Sequence, residues 1–408
     1  MIPPTAGRPT LEVADVIRGH GDAFQQKFAA ILGPAQTKAV RDLARCRTAA
    51  LGGHVERCLD CGHQRIAYNS CRNRHCPKCQ ARTRAAWLAA QAEHLLPVEY
   101  YHLVFTLPDE LSDLARANPT VLYDLLFQAA AGAIRDVAAH PKRLGAVPGL
   151  LLVLHTWGQT LTHHPHVHGV VTGGGLSCDG RGRIDAAPRW VSCRPGFFLP
   201  VRVLSRVFRG QYLDGLRRAH RRGALRFFGR LSPLAAAAAF HAFLRPLHAK
   251  DWVVYAKRPF GGPAQVLKYL ARYTHRVAIS NSRLVKLEHG RVTFHYKDYA
   301  DGHRLKTMTL DACEFLRRFV QHVLPHGFTK VRHYGLLANR FRQERLSACR
   351  RLLLVTTVLA TPTATGAEEL PAADTAGERC CPECGSRRLE RTAALPAPVN
   401  TSLRPGRW

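Results

Sequence analysis

The sequence predicts an α+β protein whose central sheet is rich in antiparallel strands, carries packed helices and is preceded by a zinc ribbon. Two observations lead to this fold class. Between residues 91 and 300, short apolar stretches with strand character alternate with segments whose apolar residues recur at helical spacing. Upstream of them, cysteines paired in a Cys-x-x-Cys pattern are typical of a small domain stabilised by a metal ion.

The charge of the chain indicates a polyanionic partner. Its 408 residues include 59 Lys and Arg against 29 Asp and Glu, a formal net charge of +30 at pH 7. An excess of this size favours DNA or RNA, because each phosphate that a basic side chain neutralises releases counterions. A ribosomal or membrane-surface role is the alternative explanation of the same charge.

The N-terminus is polar and lacks the apolar core of a secretory signal. The longest apolar stretches, around 150–154 and 234–243, fall short of the ~18 residues that a membrane helix needs. We therefore expect a cytoplasmic protein with no membrane partner. In that compartment the 13 cysteines indicate metal binding rather than disulfides.

The elements follow one another along the chain in four regions. Residues 1–90 should form a helical and zinc-binding N-terminal domain, with amphipathic helices over about 11–51. Residues 91–300 should form the central catalytic domain, and 301–358 a basic helical region. Residues 359–408 have the composition of a flexible linker followed by a cysteine-containing tail.

Within the central domain the pattern predicts a series of strands and helices. Strands are expected in YYHLVFTL, GLLLVLHTW and HVHGVVTGG, and the last of these should end at its glycines. Basic helices are expected over 195–250, and a helix that opens at Pro263 contains AQVLKYLARYTH. A β-hairpin should then turn at His289 and Gly290.

The strand HHPHVHG carries a candidate site for a divalent metal ion. Alternate side chains of a strand share a face, so His166 and His168 point the same way while Val167 turns into the core. Neutral imidazoles are good metal ligands. On the neighbouring strand His155 ends an apolar row and is a possible third ligand, with His164 and Gln159 as competing candidates.

The helical segment KYLARYTH carries two candidate nucleophiles. Tyr269 and Tyr273 are four residues apart, so their hydroxyls lie on one face about one turn apart. Tyrosine alone is a poor nucleophile, but a metal ion that polarises a phosphate oxygen could compensate. Taken singly, two such tyrosines would more often pack in a core, and the histidine strand could be a surface strand that binds nothing.

Together these motifs resemble a known family. FTLP (105–108), the His-hydrophobic-His strand and the Tyr-x-x-x-Tyr helix occur in the order found in HUH endonucleases. The runs HTWGQTLTHHPHVHGVVTGGG, WVVYAKRPFGGPAQVLKYLARYTHRVAISNSRL and HYGLLANRFRQERL resemble the two-tyrosine, IS91-like insertion-sequence transposases, over about residues 36–384.

The resemblance implies an activity and a set of site residues. The activity is cleavage and joining of single-stranded DNA at element ends, by a rolling-circle-like route with a 5′-phosphotyrosine intermediate. It makes His166 and His168 ligands of Mg²⁺ or Mn²⁺, and Tyr269 and Tyr273 nucleophiles. A replication-initiation or mobilisation nuclease would share this chemistry, and a non-catalytic zinc-dependent DNA-binding regulator would share the charge and the ribbon.

The cysteines predict a structural zinc site. Cys58 and Cys61 are separated from Cys76 and Cys79 by 14 residues, a spacing typical of four thiolates around one Zn²⁺. Within the N-terminal region, Cys71 or His75 could replace one ligand, and Cys46 could join a second site. The tail offers only a half site, Cys381 and Cys384, which needs ligands from elsewhere.

Arginines among Phe208, Tyr212, Phe227 and Phe228 have the composition of a channel for single-stranded DNA, although each aromatic could instead belong to a helix core.

Overall fold

The computed structural model describes residues 11–257, 265, 266, 269, 277–359 and 380–398. Its helices are α1 (Val13–Phe28), α2 (Pro34–Ala44), α3 (Gln80–Ala92), α4 (Ser112–Ala117), α5 (Pro119–Ala139), α6 (Val201–Arg221), α7 (Ala237–Ala249), α8 (Ala312–Val320) and α9 (Arg342–Leu359). Its strands are β1 (Gly53–Cys58), β2 (Gln64–Tyr68), β3 (Tyr100–Thr106), β4 (Ala146–Trp157), β5 (His163–Ser177), β6 (Trp190–Ser192), β7 (Val254–Ala256), β8 (Leu284–Glu288), β9 (Arg291–Asp298), β10 (Arg304–Asp311), β11 (Val331–Gly335) and β12 (Leu389–Leu395).

A six-stranded antiparallel sheet forms the centre of the molecule. Its strand order is β11-β4-β5-β3-β7, with β6 paired to β5. The long strands β4 and β5 lie side by side, with His155 opposite His166 and Val153 opposite His168. On the other side of β5, Val104 of β3 lies opposite His168. The predicted α+β class with an antiparallel sheet is confirmed.

The two faces of this sheet have different partners, because alternate residues of each strand point to opposite sides. One face, which includes Leu152, Leu154 and Val167, is covered by α5 and α6 and forms the largest core. The other face carries the histidines, and beside them Leu151, Val153 and Val170 pack with Val266. Trp87 and Leu88 of α3 and Tyr269 pack on this second face.

Strand β5 continues beyond the glycines at which the sequence predicted its end. Gly174 and Gly175 pair with β6, and Gly175 lies against β4, where a β-carbon would meet the carbonyl oxygen of Val147 at 2.3 Å. The glycines therefore permit close approach of neighbouring backbones rather than ending the strand.

A second antiparallel sheet, in the order β10-β9-β8, packs against the N-terminal helices. Phe24 of α1, Leu43 of α2, Phe294 of β9 and Phe315 of α8 share one core. The predicted hairpin is confirmed: β8 and β9 are joined by His289 and Gly290, with φ of 48° and 71°. The stretch after residue 301 differs from the helical prediction, since it contains β10 and β11 as well as helices.

A third sheet joins the two ends of the described chain. Its order is β12-β1-β2, so the strand 389–395 pairs with the edge of the hairpin formed by residues 53–68.

Of the helix predicted to open at Pro263, only Gln265, Val266 and Tyr269 lie within the described residues, and they are helical. Among the described residues, no helix combines the length and the apolar character needed to cross a membrane.

Candidate active site and metal centres

Three histidines converge on one face of the central sheet. One ligand nitrogen from each of His155, His166 and His168 lies within 4.8 Å of the others, a group we call the histidine cluster. The convergence follows from strand register, since His155 and His166 are cross-strand partners and His168 is two residues further along β5.

The Nδ1 atoms of His166 and His168 on β5 have hydrogen-bond partners outside the histidine cluster, and the Nε2 atoms of these two residues face each other. Nδ1 of His166 donates to the carbonyl oxygen of His164 at 2.7 Å. Nδ1 of His168 contacts the hydroxyl of Tyr269 at 3.0 Å. The two Nε2 atoms lie 3.1 Å apart. Outer hydrogen bonds of this kind fix the tautomer and orientation of metal-binding histidines.

These residues fit a divalent ion. Two nitrogens each about 2.1 Å from a metal lie about 3.0 Å apart at an octahedral angle and about 3.4 Å apart at a tetrahedral one. The observed 3.1 Å between the Nε2 atoms falls in this range. Burial lowers the pKa of His166 to about 4, so that this imidazole is neutral near pH 7 and its lone pair can bind a metal.

The competing candidates for the third ligand lie outside the histidine cluster. His164 is turned toward the Asp109 carboxylate, 3.3 Å away, and Gln159 donates to the hydroxyl of Tyr299 at 3.1 Å. His155 is buried, and its ring stacks on Trp157 with 4.5 Å between the ring centroids. His155 therefore has the geometry that the other two candidates lack.

Tyr269 stands beside the histidine cluster. Its hydroxyl oxygen is 3.0 Å from Nδ1 of His168, whose Nε2 faces His166. The imidazole of His168 thus lies between the Tyr269 phenol and the candidate metal position in the histidine cluster. The second candidate nucleophile, Tyr273, lies outside the described residues.

His102 is a further residue of this site that the sequence reading missed. It lies two residues before Val104 on β3, on the face that carries His168, and its Nε2 is 2.5 Å from the Tyr269 hydroxyl and 3.0 Å from Nδ1 of His168. Burial, with a smaller contribution from Lys257, lowers the pKa of His102 to about 3, which keeps its imidazole neutral near pH 7. The signal in the sequence was a histidine within the largely apolar strand YYHLVFT.

The cysteines form two clusters rather than the single predicted site of Cys58, Cys61, Cys76 and Cys79. The inner cluster consists of Cys46, Cys71, Cys76 and Cys79, and the ribbon cluster of Cys58, Cys61, Cys381 and Cys384. The four predicted ligands are therefore divided between two groups.

Local structure explains this division. Cys58 ends β1 and Cys61 lies in the turn that leads to β2, whereas Cys76 and Cys79 directly precede α3. Arg74 holds the latter segment against the C-terminal half of the chain by donating to the carbonyls of Leu324 and Pro325 at 3.2 and 2.6 Å.

Sulfur distances within the inner cluster suit a tetrahedral zinc site. The Sγ atom of Cys46 is 3.5 Å from that of Cys79 and 3.6 Å from that of Cys76, and Cys71 is 3.7 Å from Cys79. Thiolates about 2.3 Å from a tetrahedral Zn²⁺ lie about 3.8 Å apart, and a disulfide would need about 2.05 Å.

The aromatic residues that lie among arginines between positions 208 and 228 differ in how exposed they are. Phe208 and Tyr212 are fully buried in the main core, whereas Phe228 is 63% exposed. Of this set, Phe228 is thus available to stack on a base.

Comparisons with known proteins bear on both parts of the chain. Residues 149–345 match a family described as "Putative transposase", and residues 16–107 match one described as "Transposase zinc-binding domain". "Putative transposase y4qJ" of Sinorhizobium fredii (strain NBRC 101917 / NGR234) is 52% identical over 342 residues, 84% of each chain. The "Transposase for insertion sequence element IS801" of Pseudomonas savastanoi pv. phaseolicola is 29% identical over 363 residues, 88% of this chain and 84% of that one. No solved structure matches the chain.

Proposed function

The chain belongs to the IS91 family of transposases, and we propose that it cleaves and rejoins single-stranded DNA at insertion-sequence ends through a 5′-phosphotyrosine intermediate. Membership of this family makes it a DNA-binding, DNA-cleaving enzyme with a zinc-binding N-terminal region. The observation that carries the finer proposal is the Tyr269 hydroxyl, 3.0 Å from a histidine of the histidine cluster.

The central region, residues 91–300, carries the proposed chemistry. His155, His166 and His168 would hold Mg²⁺ or Mn²⁺, as in an HUH-type site. When bound, such an ion polarises a phosphate oxygen and stabilises the charge that develops at phosphorus.

Residues around Tyr269 orient the nucleophile. If His168 binds metal through Nε2, its Nδ1 carries the proton and can donate to the phenol oxygen, while the phenol hydroxyl donates to Nε2 of His102. In this arrangement the phenol oxygen accepts one hydrogen bond and its hydroxyl donates another, which holds the oxygen between two imidazoles. His102 is thus a positioning residue for Tyr269.

The proposed strand transfer conserves the phosphodiester energy. The phenol oxygen of Tyr269 bonds to phosphorus as the bond to the 3′-oxygen breaks, the phenol proton departs, and the 3′-oxygen takes up a proton as a free hydroxyl. A 3′-hydroxyl of another strand can later displace the tyrosine. In this scheme Tyr273, four residues further along the sequence, accepts a second strand while Tyr269 is occupied.

Labelled single-stranded element ends, incubated with the wild type and with Tyr269→Phe, Tyr273→Phe and the double variant, test this proposal. We expect a denaturation-resistant protein–DNA adduct that requires Mg²⁺ or Mn²⁺ and is absent from the double variant. An adduct formed by the double variant would disprove the tyrosine assignment. Full strand transfer by one single variant would reduce the scheme to one nucleophile.

A further inference from the structure

The ribbon cluster brings together cysteines from opposite ends of the chain. The Sγ atom of Cys58 lies 3.5 Å from that of Cys384, and the Sγ atom of Cys61 lies 3.6 Å from that of Cys381. These pairs are separated by 326 and 320 residues in sequence. Both sulfur distances are close to the ~3.8 Å edge of a tetrahedral zinc–thiolate site and far above the length of a disulfide.

The two Cys-x-x-Cys segments form the same turn. In the first, the amide of Cys58 donates to the carbonyl of His63 at 2.8 Å, and Gly62 donates to the carbonyl of Cys58 at 3.0 Å. In the second, Cys381 donates to Ser386 at 2.7 Å, and Gly385 donates to Cys381 at 3.0 Å. Both glycines have φ of 73°, a left-handed conformation that favours glycine.

Backbone pairing holds the tail beside the first turn. Strand β12 pairs with β1 from Gly53 opposite Leu395 to Cys58 opposite Leu389. Gly52 makes room for this strand, because a β-carbon there would lie 2.5 Å from the carbonyl oxygen of Leu395. The absence of a side chain at Gly52 thus lets the backbone at Leu395, more than 340 residues downstream, lie close to it.

Charged side chains also connect the tail to the hairpin of residues 53–68. The buried carboxylate of Glu56 accepts two hydrogen bonds from Arg65, at 3.0 and 2.8 Å, and Arg65 also donates to the carbonyl of Cys380 at 3.1 Å. Asp60, between the two cysteines of the first turn, accepts from Arg388 at 2.7 Å. Arg65 and Arg388 thus each connect the N-terminal hairpin to the tail.

We propose that Cys58, Cys61, Cys381 and Cys384 bind a second zinc ion, which fastens the C-terminal tail to the N-terminal domain. This site is distinct from the inner cluster, which has four thiolates of its own within residues 46–79. It also extends beyond the matched zinc-binding domain, since residues 16–107 contain only two of its ligands. The N-terminal domain is thus completed by residues 380–398.

Zinc content tests the proposal directly. The experiment uses the full chain with His166→Ala and His168→Ala, so that the histidine cluster does not contribute metal. We expect two zinc equivalents per chain, and one after Cys381→Ser and Cys384→Ser are added together. Cys380→Ser is the matched control, because Cys380 is an exposed neighbour outside the cluster and should leave two equivalents.

Tethering is tested with a protease site inserted between residues 360 and 379. After cleavage, the tail fragment should stay with an N-terminally tagged chain when the four cysteines are present. It should separate when Cys381 and Cys384 are serine.

Three results would overturn the proposal. The first two are one zinc in the chain that carries only the histidine substitutions, and two zincs after Cys381→Ser and Cys384→Ser are added. The third is resistance of Cys381 and Cys384 to alkylation in the absence of metal, which would indicate a disulfide. Because the readouts are metal content and tail retention, they are independent of DNA cleavage.

Discussion

Replacing His102 should slow DNA cleavage while leaving the metal site in place. Nε2 of His102 lies 2.5 Å from the Tyr269 hydroxyl and 3.0 Å from Nδ1 of His168. Asparagine is too short to place a polar atom where Nε2 lies, whereas the amide of glutamine reaches close to it. His102→Asn therefore removes the acceptor of the hydrogen bond from the Tyr269 hydroxyl, whereas His102→Gln keeps an acceptor near that position.

The size of the effect follows from one hydrogen bond, because the Nδ1 proton of His168 is donated to the phenol oxygen and only the phenol hydroxyl donates to His102. A hydrogen bond contributes about 0.5–1.5 kcal/mol net, so losing it raises the activation free energy by about the same amount. This corresponds to a rate lower by roughly 2- to 13-fold.

The assay is the single-turnover rate of adduct formation on a labelled single-stranded end at saturating Mn²⁺. The wild type should be fastest, His102→Gln intermediate and His102→Asn slowest, with the Mn²⁺ concentration for half-maximal rate unchanged. His140→Asn, at an exposed histidine, is the control and should match the wild type. A wild-type rate for His102→Asn would refute the positioning role, and so would restoration of its rate by excess metal.

Three further predictions concern the sheet, a buried histidine and the metal site. Gly175→Ala should lower the free energy of unfolding by about 1–3 kcal/mol, because the new β-carbon would lie 2.3 Å from the carbonyl oxygen of Val147. Gly180→Ala is the control, because a β-carbon there meets open space and should not lower the free energy of unfolding. Equal losses for the two variants in denaturant titrations would contradict this prediction. Burial lowers the pKa of His322 to about 3. Between about pH 6.5 and pH 3 this histidine is therefore protonated in the unfolded chain but neutral in the native chain. The protein loses stability as the pH falls through this range. His322→Gln should therefore gain about 1.4 kcal/mol on the wild type between about pH 7.5 and 5.5, and a difference that does not vary with pH would rule this out. His166→Ala should abolish Mn²⁺-dependent adduct formation without changing the zinc content of the cysteine clusters, and a metal-dependent adduct in this variant would exclude His166 as a ligand.

Periodicity made the histidine strand and the β8–β9 hairpin predictable. Alternation alone puts His166 and His168 on one face, and His289-Gly290 between two strand-like runs indicates a tight turn. Both signals lie within about ten residues of sequence, where backbone geometry determines which side chains meet.

Long-range pairings were not predictable in this way. The Cys-x-x-Cys spacing defines a turn but not its partner. The partners of Cys58 and Cys61 are Cys384 and Cys381, more than 300 residues away in the turn before β12. His102 meets Tyr269 only because β3 pairs with β5 and the tyrosine segment packs on that face. The register that brings His155 opposite His166 is equally a property of the folded sheet.

The identity of the DNA-linked residue tests the central claim most directly. Trypsin should release Tyr269 and Tyr273 on separate peptides, 269–272 and 273–276, because Lys268, Arg272 and Arg276 bound them. After reaction with a single-stranded end in Mn²⁺, mass spectrometry of the nuclease-trimmed adduct should find nucleotide on one or both of these peptides, and on neither in EDTA. Nucleotide attached to any other peptide, or an adduct that forms equally in EDTA, would contradict the metal-dependent tyrosine mechanism.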